Sequence, residues 1–144
     1  MKSDSTLTPR ELFALAVLST FDGEDWNPTQ LQKIFFILDQ KVAEKIGGPH
    51  WNFKPWDYGP YDQAIFEVMR ELEDRNLLIS RHLSYNLTPR GQRLGEEQLE
   101  ALPEEARDYI RRLSSWAKPL SFQQLISAVY KEFPESCGKR PFSG

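Results

Sequence analysis

One short signal recurs along this chain and commits most of it to helix. A capping side chain stands directly before a proline at Thr8-Pro9, Asn27-Pro28 and Thr88-Pro89, and Ser121 supplies a fourth cap without proline. The cap oxygen accepts from backbone N–H groups that a helix start leaves unpaired, and proline loses nothing at the first helical position. Glu11, Gln30 and Gln124 follow their caps by three residues and can reach back to complete capping boxes. Leu7/Leu12, Trp26/Leu31 and Leu120/Leu125 are spaced to staple those same starts.

Apolar periodicity extends the signals into helices over about 8–20, 28–46 and 60–76, with three more opening at Thr88, Pro103 and Ser121. The first puts Leu12, Leu15 and Ala16 inward. The second places Leu31, Ile34, Phe35, Leu38, Val42 and Ile46 on one stripe. Phe36 and Ile37 fall off it, and a helix apolar on several sides is central and buried. In the third, Tyr61, Ala64, Ile65, Val68 and Leu72 face inward and Phe66 lies on the polar side. The helix after Thr88 has few apolar residues and reads as a surface helix. The next turns Ala106, Tyr109, Ile110, Leu113 and Trp116 inward, and the last Phe122, Leu125, Ile126, Val129 and Phe133. Between the third and fourth helices, Leu77–Ser80 and Tyr85–Leu87 form a short hairpin turning near His82, without an Asn-Gly signal. The expected fold is mainly α: a winged-helix-like helical core with a small β-hairpin and a C-terminal helical extension. The expected organisation is a single domain, with core 8–88, extension 89–134 and a flexible tail from 135.

Composition limits the function classes. The net charge of -3 gives no global attraction to nucleic acid. The longest apolar run is far short of a membrane span, and the N-terminus lacks the apolar core of a signal peptide. A single cysteine, Cys137, forms no internal disulfide and fits a reducing cytoplasm. Two histidines and one cysteine are too few for a structural zinc site.

The segment His50–Tyr61 holds five aromatics, two prolines and a glycine in twelve residues. Loops are ordinarily polar. Pro55 and Pro60 extend the residues before them, so the segment runs extended, bends at Tyr58-Gly59 and enters a helix at Pro60. Two readings stand: the aromatics cap the core, or they form an exposed contact surface. On the second, Trp51, Phe53, Trp56, Asp57, Tyr58 and Tyr61, with Phe66 on the following helix, bind a protein partner, since Trp and Tyr dominate interface centres.

The third helix also tests DNA binding, because it would enter the major groove of a winged helix-turn-helix complex. From Tyr61 to Arg75 it carries five carboxylates against two arginines, a net of -3. Phosphates repel that sign. The residues that fit DNA are Gln63 and Arg70 as base readers and Arg81, Arg90 and Arg93 as phosphate contacts. Seven basic residues over 81–118 stand among six carboxylates, which reads as solvated, ion-paired helix faces. No catalysis and no cofactor are expected: His50 and His82 have no nucleophile or carboxylate at motif spacing, and Gly47-Gly48 lacks the Lys-Ser/Thr of a phosphate loop.

Leu31-Gln32-Lys33-Ile34-Phe35-Phe36, then Trp56-Asp57-Tyr58-Gly59-Pro60, then Glu71-Leu72 and Leu77-Leu78-Ile79 together resemble the Panacea-domain family and its small stand-alone winged-helix relatives. The resemblance covers roughly residues 8–90. Val129–Glu135 is similar to a C-terminal feature of those relatives. Trp56, Tyr58, Gly59 and Pro60 match the family's turn. The resemblance implies a bacterial or phage protein of non-enzymatic, antitoxin-like function that neutralises a toxin or defence component by binding it. The alternative is a DNA-binding transcriptional regulator, dimeric through residues 103–133.

Overall fold

The computed structural model describes residues 7–56 and 59–134. In order these form α1 (Pro9–Leu18), α2 (Pro28–Lys41), a short 3-10 turn (Ala43–Lys45), α3 (Ala64–Asp74), β1 (Leu78–Arg81), β2 (Ser84–Leu87), α4 (Pro89–Ala101), α5 (Glu104–Ala117) and α6 (Phe122–Glu132). Among the described residues the molecule is mainly helical with one small antiparallel hairpin, three α-helices preceding the hairpin and three following it. Asp57, Tyr58 and the tail from Glu135, including Cys137, lie outside the described residues.

The capping signals form as the sequence dictates. Thr8 accepts from the Glu11 amide at 3.2 Å and Glu11 returns the bond at 2.9 Å. Asn27 and Gln30 do the same at 2.9 and 3.0 Å, and Ser121 and Gln124 at 3.1 and 2.9 Å. Thr88 caps α4 through the Gly91 amide. α3 ends in a Schellman motif: Asn76 takes φ 61, Leu77 N–H donates to Leu72 O, and Asn76 N–H donates to Glu73 O.

Buried residues of all six helices join one contiguous core. α1 buries every residue from Phe13 to Leu18, and α2 buries Leu31 to Leu38 without a break, Phe36 and Ile37 included. α5 and α6 rest on α2. Trp26 is buried between helices and sheet. Its indole donates to Leu18 O at 3.1 Å, and its backbone exchanges both hydrogen bonds with Tyr85, adding a one-residue third strand beside β2.

Several expectations need correction. α1 and α2 end at Leu18 and Lys41, before the expected limits, and Val42 leaves helical geometry at φ -134. α3 starts at Ala64 instead of Pro60, because Tyr61 pairs with Lys54 as an extended bridge and Asp62 Oδ1 accepts the Ala64 amide. The hairpin matches its expected position within a residue. Its two-residue turn uses His82 and Leu83 at φ 48 and 62, a primed turn built from residues that strain in it. α4 is no peripheral surface helix. Gly95 and Gly91 bring its backbone onto α1 and Leu77, so close that a Cβ at Gly95 would overlap the Leu15 carbonyl and one at Gly91 the Leu77 carbonyl. Gln92 completes the contact by donating to Ser19 O at 2.8 Å. Small residues, not large apolar ones, bury this helix. Trp116 and Phe122, expected inward, are 43% and 49% exposed, while Ala117 and Tyr130 take the buried positions.

Candidate partner-binding surface

The aromatic segment divides into a buried first half and an exposed second half. Asp39, on the last full turns of α2, holds the first half. Its carboxylate accepts the His50 amide at 3.0 and 3.1 Å and the Trp51 amide at 2.9 Å. Burial pushes the Asp39 carboxyl above its ordinary range, and these two amides, with His50 and Arg10 nearby, offset that only in part. Arg10 forks onto the His50 carbonyl at 2.9 and 2.7 Å and places its guanidinium 4.8 Å from the Trp51 ring centre. His50 stacks on Phe13 at 4.6 Å, with its Nε2 2.7 Å from Ile46 O. Trp51 is only 7% exposed and lies against Phe35, so it is a core residue and not a contact residue. Phe53 is half-buried, edge-on to Phe36.

Two side chains of α2 then clamp the second half. Gln32 Nε2 donates to Asp62 O at 3.0 Å, and its Oε1 accepts the Asp62 amide at 2.9 Å. Lys33, buried, donates to Pro60 O at 3.2 Å. Its stem fills the space where Gly59 has no side chain: a Cβ there would stand 2.9 Å from Lys33 Cε, and φ at Gly59 is +101. Both reasons require glycine. Leu-Gln-Lys of α2 and Gly59-Pro60, far apart in sequence, are thus two halves of one structural joint. Asp62 closes it by accepting the Asn52 amide at 2.7 Å. Residues 52–56 and 59–62 form the two sides of a narrow excursion, bridged at Lys54–Tyr61.

This excursion presents Trp56, 50% exposed, against Tyr61 with ring centres 4.8 Å apart. Tyr61 in turn lies 6.1 Å from Phe66. Phe66 lines a groove of about 390 Å³ with Leu83 of the hairpin turn, Leu120 just before α6, and Phe122 and Leu125 of α6. Leu83 is 72% exposed. A strip of apolar surface therefore runs from Trp56, across the start of α3, to the hairpin turn and α6. Leu83 and Phe122 were not singled out from sequence as contact residues. Phe122 sits in an inward-looking stripe, and nothing local marks Leu83 as a turn residue.

Beside this strip, Gln63 at the N-cap of α3 and Glu67, Arg70, Glu73 and Asp74 within it are exposed, three carboxylates against one arginine. Glu71 and Arg75 pair with each other at 2.7 Å. Arg81, Arg90 and Arg93 are also exposed, on β1 and the first turns of α4. Arg81 borders a hollow shared with Asp25. Lys118 lies over Trp26 and Phe21; burial lowers its pKa, and Glu24 and Asp25 partly oppose this. Among the described residues no group of three or more His, Cys, Asp or Glu is gathered to hold a metal ion, and no helix is long and apolar enough to cross a membrane. No protein-family model matches the chain, and no curated protein matches it.

Proposed function

We propose that this chain is a non-enzymatic, antitoxin-like interaction module that binds and neutralises a basic protein partner. The observation that carries the reading is the exposed apolar strip from Trp56 through Tyr61 and Phe66 into the groove at Leu83 and Phe122. Contiguous apolar surface is costly to leave in water and marks contact surfaces. Its aromatics sit on a joint that α2 holds rigid, so little ordering is lost on binding. The exposed carboxylates of α3 flank the strip and favour a partner of opposite charge. They disfavour the alternative, a DNA-binding regulator reading the major groove with α3, because each would face phosphate.

The experiment is affinity capture of the tagged chain from its native cells, identifying both bound protein and bound DNA, followed by titration with the purified partner. The expected partner is one basic protein bound stoichiometrically. Trp56→Ala and Phe122→Ala should each weaken it about 30-fold or more, the scale of interface hot spots, with circular dichroism and thermal midpoint near wild type. Full affinity in both variants would sink the placement of the surface. Enrichment of one DNA site, lost on removing Arg81, Arg90 or Arg93 and falling steeply with salt, would replace the reading with the regulator.

A further inference from the structure

A second apolar surface lies on α5 and α6, where Trp116 stands exposed beside a groove of about 360 Å³. Ile37, Tyr109, Leu113, Val129 and Phe133 line it. Its rim differs in charge from the strip at Trp56. Lys41 pairs with Glu132 at 3.2 Å, Lys131 stands nearby, and Lys41, Arg112 and Glu132 all act on the Tyr109 hydroxyl. On the outer side of α5, Asp108 and Arg112 are exposed one turn apart with opposite signs. Arg107 and Arg111, by contrast, are turned to Glu100 on α4.

We propose that this face docks a second copy of the chain, α5 against α5, antiparallel about a two-fold axis near position 110. A two-fold interface sets a surface against itself, so every charge meets the image of its neighbours. A face of one sign repels its own copy, as the carboxylates of α3 would. At Asp108 and Arg112 the α5 face is self-complementary, the Arg112 guanidinium also donating to the Asp108 carbonyl of its own helix at 3.4 Å. With the axis near position 110, Asp108 of each copy meets Arg112 of the other, giving two equivalent ion pairs. The two Trp116 rings lie about 9 Å along the helix from the axis, at 1.5 Å per residue, and flank those pairs where the facing copy covers them. Each covered Trp116 supplies the large apolar area that anchors such contacts, and the central ion pairs fix the register. The dimer leaves the strip at Trp56 on separate residues, so it stands or falls apart from the proposed function.

The test is sedimentation equilibrium of the full chain over a roughly hundredfold concentration range, bracketing micromolar affinity. Wild type should reach twice its 16.8 kDa mass, and Trp56→Ala should behave likewise. Trp116→Glu should weaken self-association about 30-fold or more. Asp108→Arg and Arg112→Asp should each do so through like-charge contact across the axis, and the double exchange should restore the dimer. These positions are solvent-exposed, so circular dichroism should stay unchanged in all variants. A 16.8 kDa species throughout, a dimer indifferent to either single reversal, or a double exchange that fails to restore association would overturn the proposal.

Discussion

Gln32→Ala tests the joint on which the Trp56 surface rests. Gln32 is almost fully buried, and its amide makes a reciprocal pair of hydrogen bonds with the Asp62 backbone, at 3.0 and 2.9 Å. Truncation strips both partners from Asp62 at once. Each intramolecular bond contributes about 0.5–1.5 kcal/mol net, and a buried polar group left unpaired costs about 1–3 kcal/mol. Asp62 is half-buried, so water replaces part of what is lost, and the expected destabilisation is about 2–3 kcal/mol. Gln32→Glu should cost at least as much, because it keeps the acceptor for the Asp62 amide but turns a carboxylate oxygen toward the Asp62 carbonyl. Urea unfolding gives the stability change, and hydrogen exchange at the Asp62 amide reports the joint itself. Protection at that amide should fall further than protection within α2. The partner affinity defined by Trp56 should fall with it, since the excursion would no longer be held in one geometry. A loss below about 0.5 kcal/mol, the range of an ordinary surface substitution, would refute the claim that this amide pair fixes the excursion.

Gly95→Ala should destabilise by about 3 kcal/mol or more, visible as a lowered urea midpoint. The new methyl would overlap the Leu15 carbonyl and lie 2.8 Å from Ser19 Cβ, forcing α1 and α4 apart. Asp39 predicts a pH dependence opposite to that of a salt-bridged carboxylate. Its folded pKa is raised above its ordinary 3.8, so its contribution is fully present below that value and is lost as pH rises through the folded pKa. The stability of wild type relative to Asp39→Asn should therefore grow as pH falls from neutrality toward 3.8, measured by urea unfolding at several pH values. A constant difference would mean the carboxyl is not desolvated as its burial indicates.

Much of the fold was legible because its signals are local. A cap, a proline and a residue three positions on interact within one turn, so Thr8, Asn27, Thr88 and Ser121 mark helix starts whatever packs around them. The unbroken apolar middle of α2 likewise announces a central helix. Local signals fail where pairing competes with propensity. Pro60 looks like a helix start, yet Tyr61 pairs with Lys54 and delays α3 by four residues. They fail again at α4, where burial comes from glycines allowing backbone contact, a mechanism that hydrophobic patterning does not register.

The candidate site was legible in part, for the same reason. Residue order alone shows an aromatic segment after a central helix and an acidic helix after that segment. It also brought Leu-Gln-Lys and Tyr-Gly-Pro into one chain without saying why. Packing joins the first to Gly59, Pro60 and Asp62, through Gln32 and Lys33, and packing divides the aromatics, taking Trp51 into the core and leaving Trp56 outside. Leu83 and Phe122 lie 39 residues apart and reach one groove solely because the hairpin turn and the start of α6 converge beside α3. A helical period specifies which residues share a face. Which faces are covered depends on the shapes and positions of other elements, and that information is distributed over the whole chain.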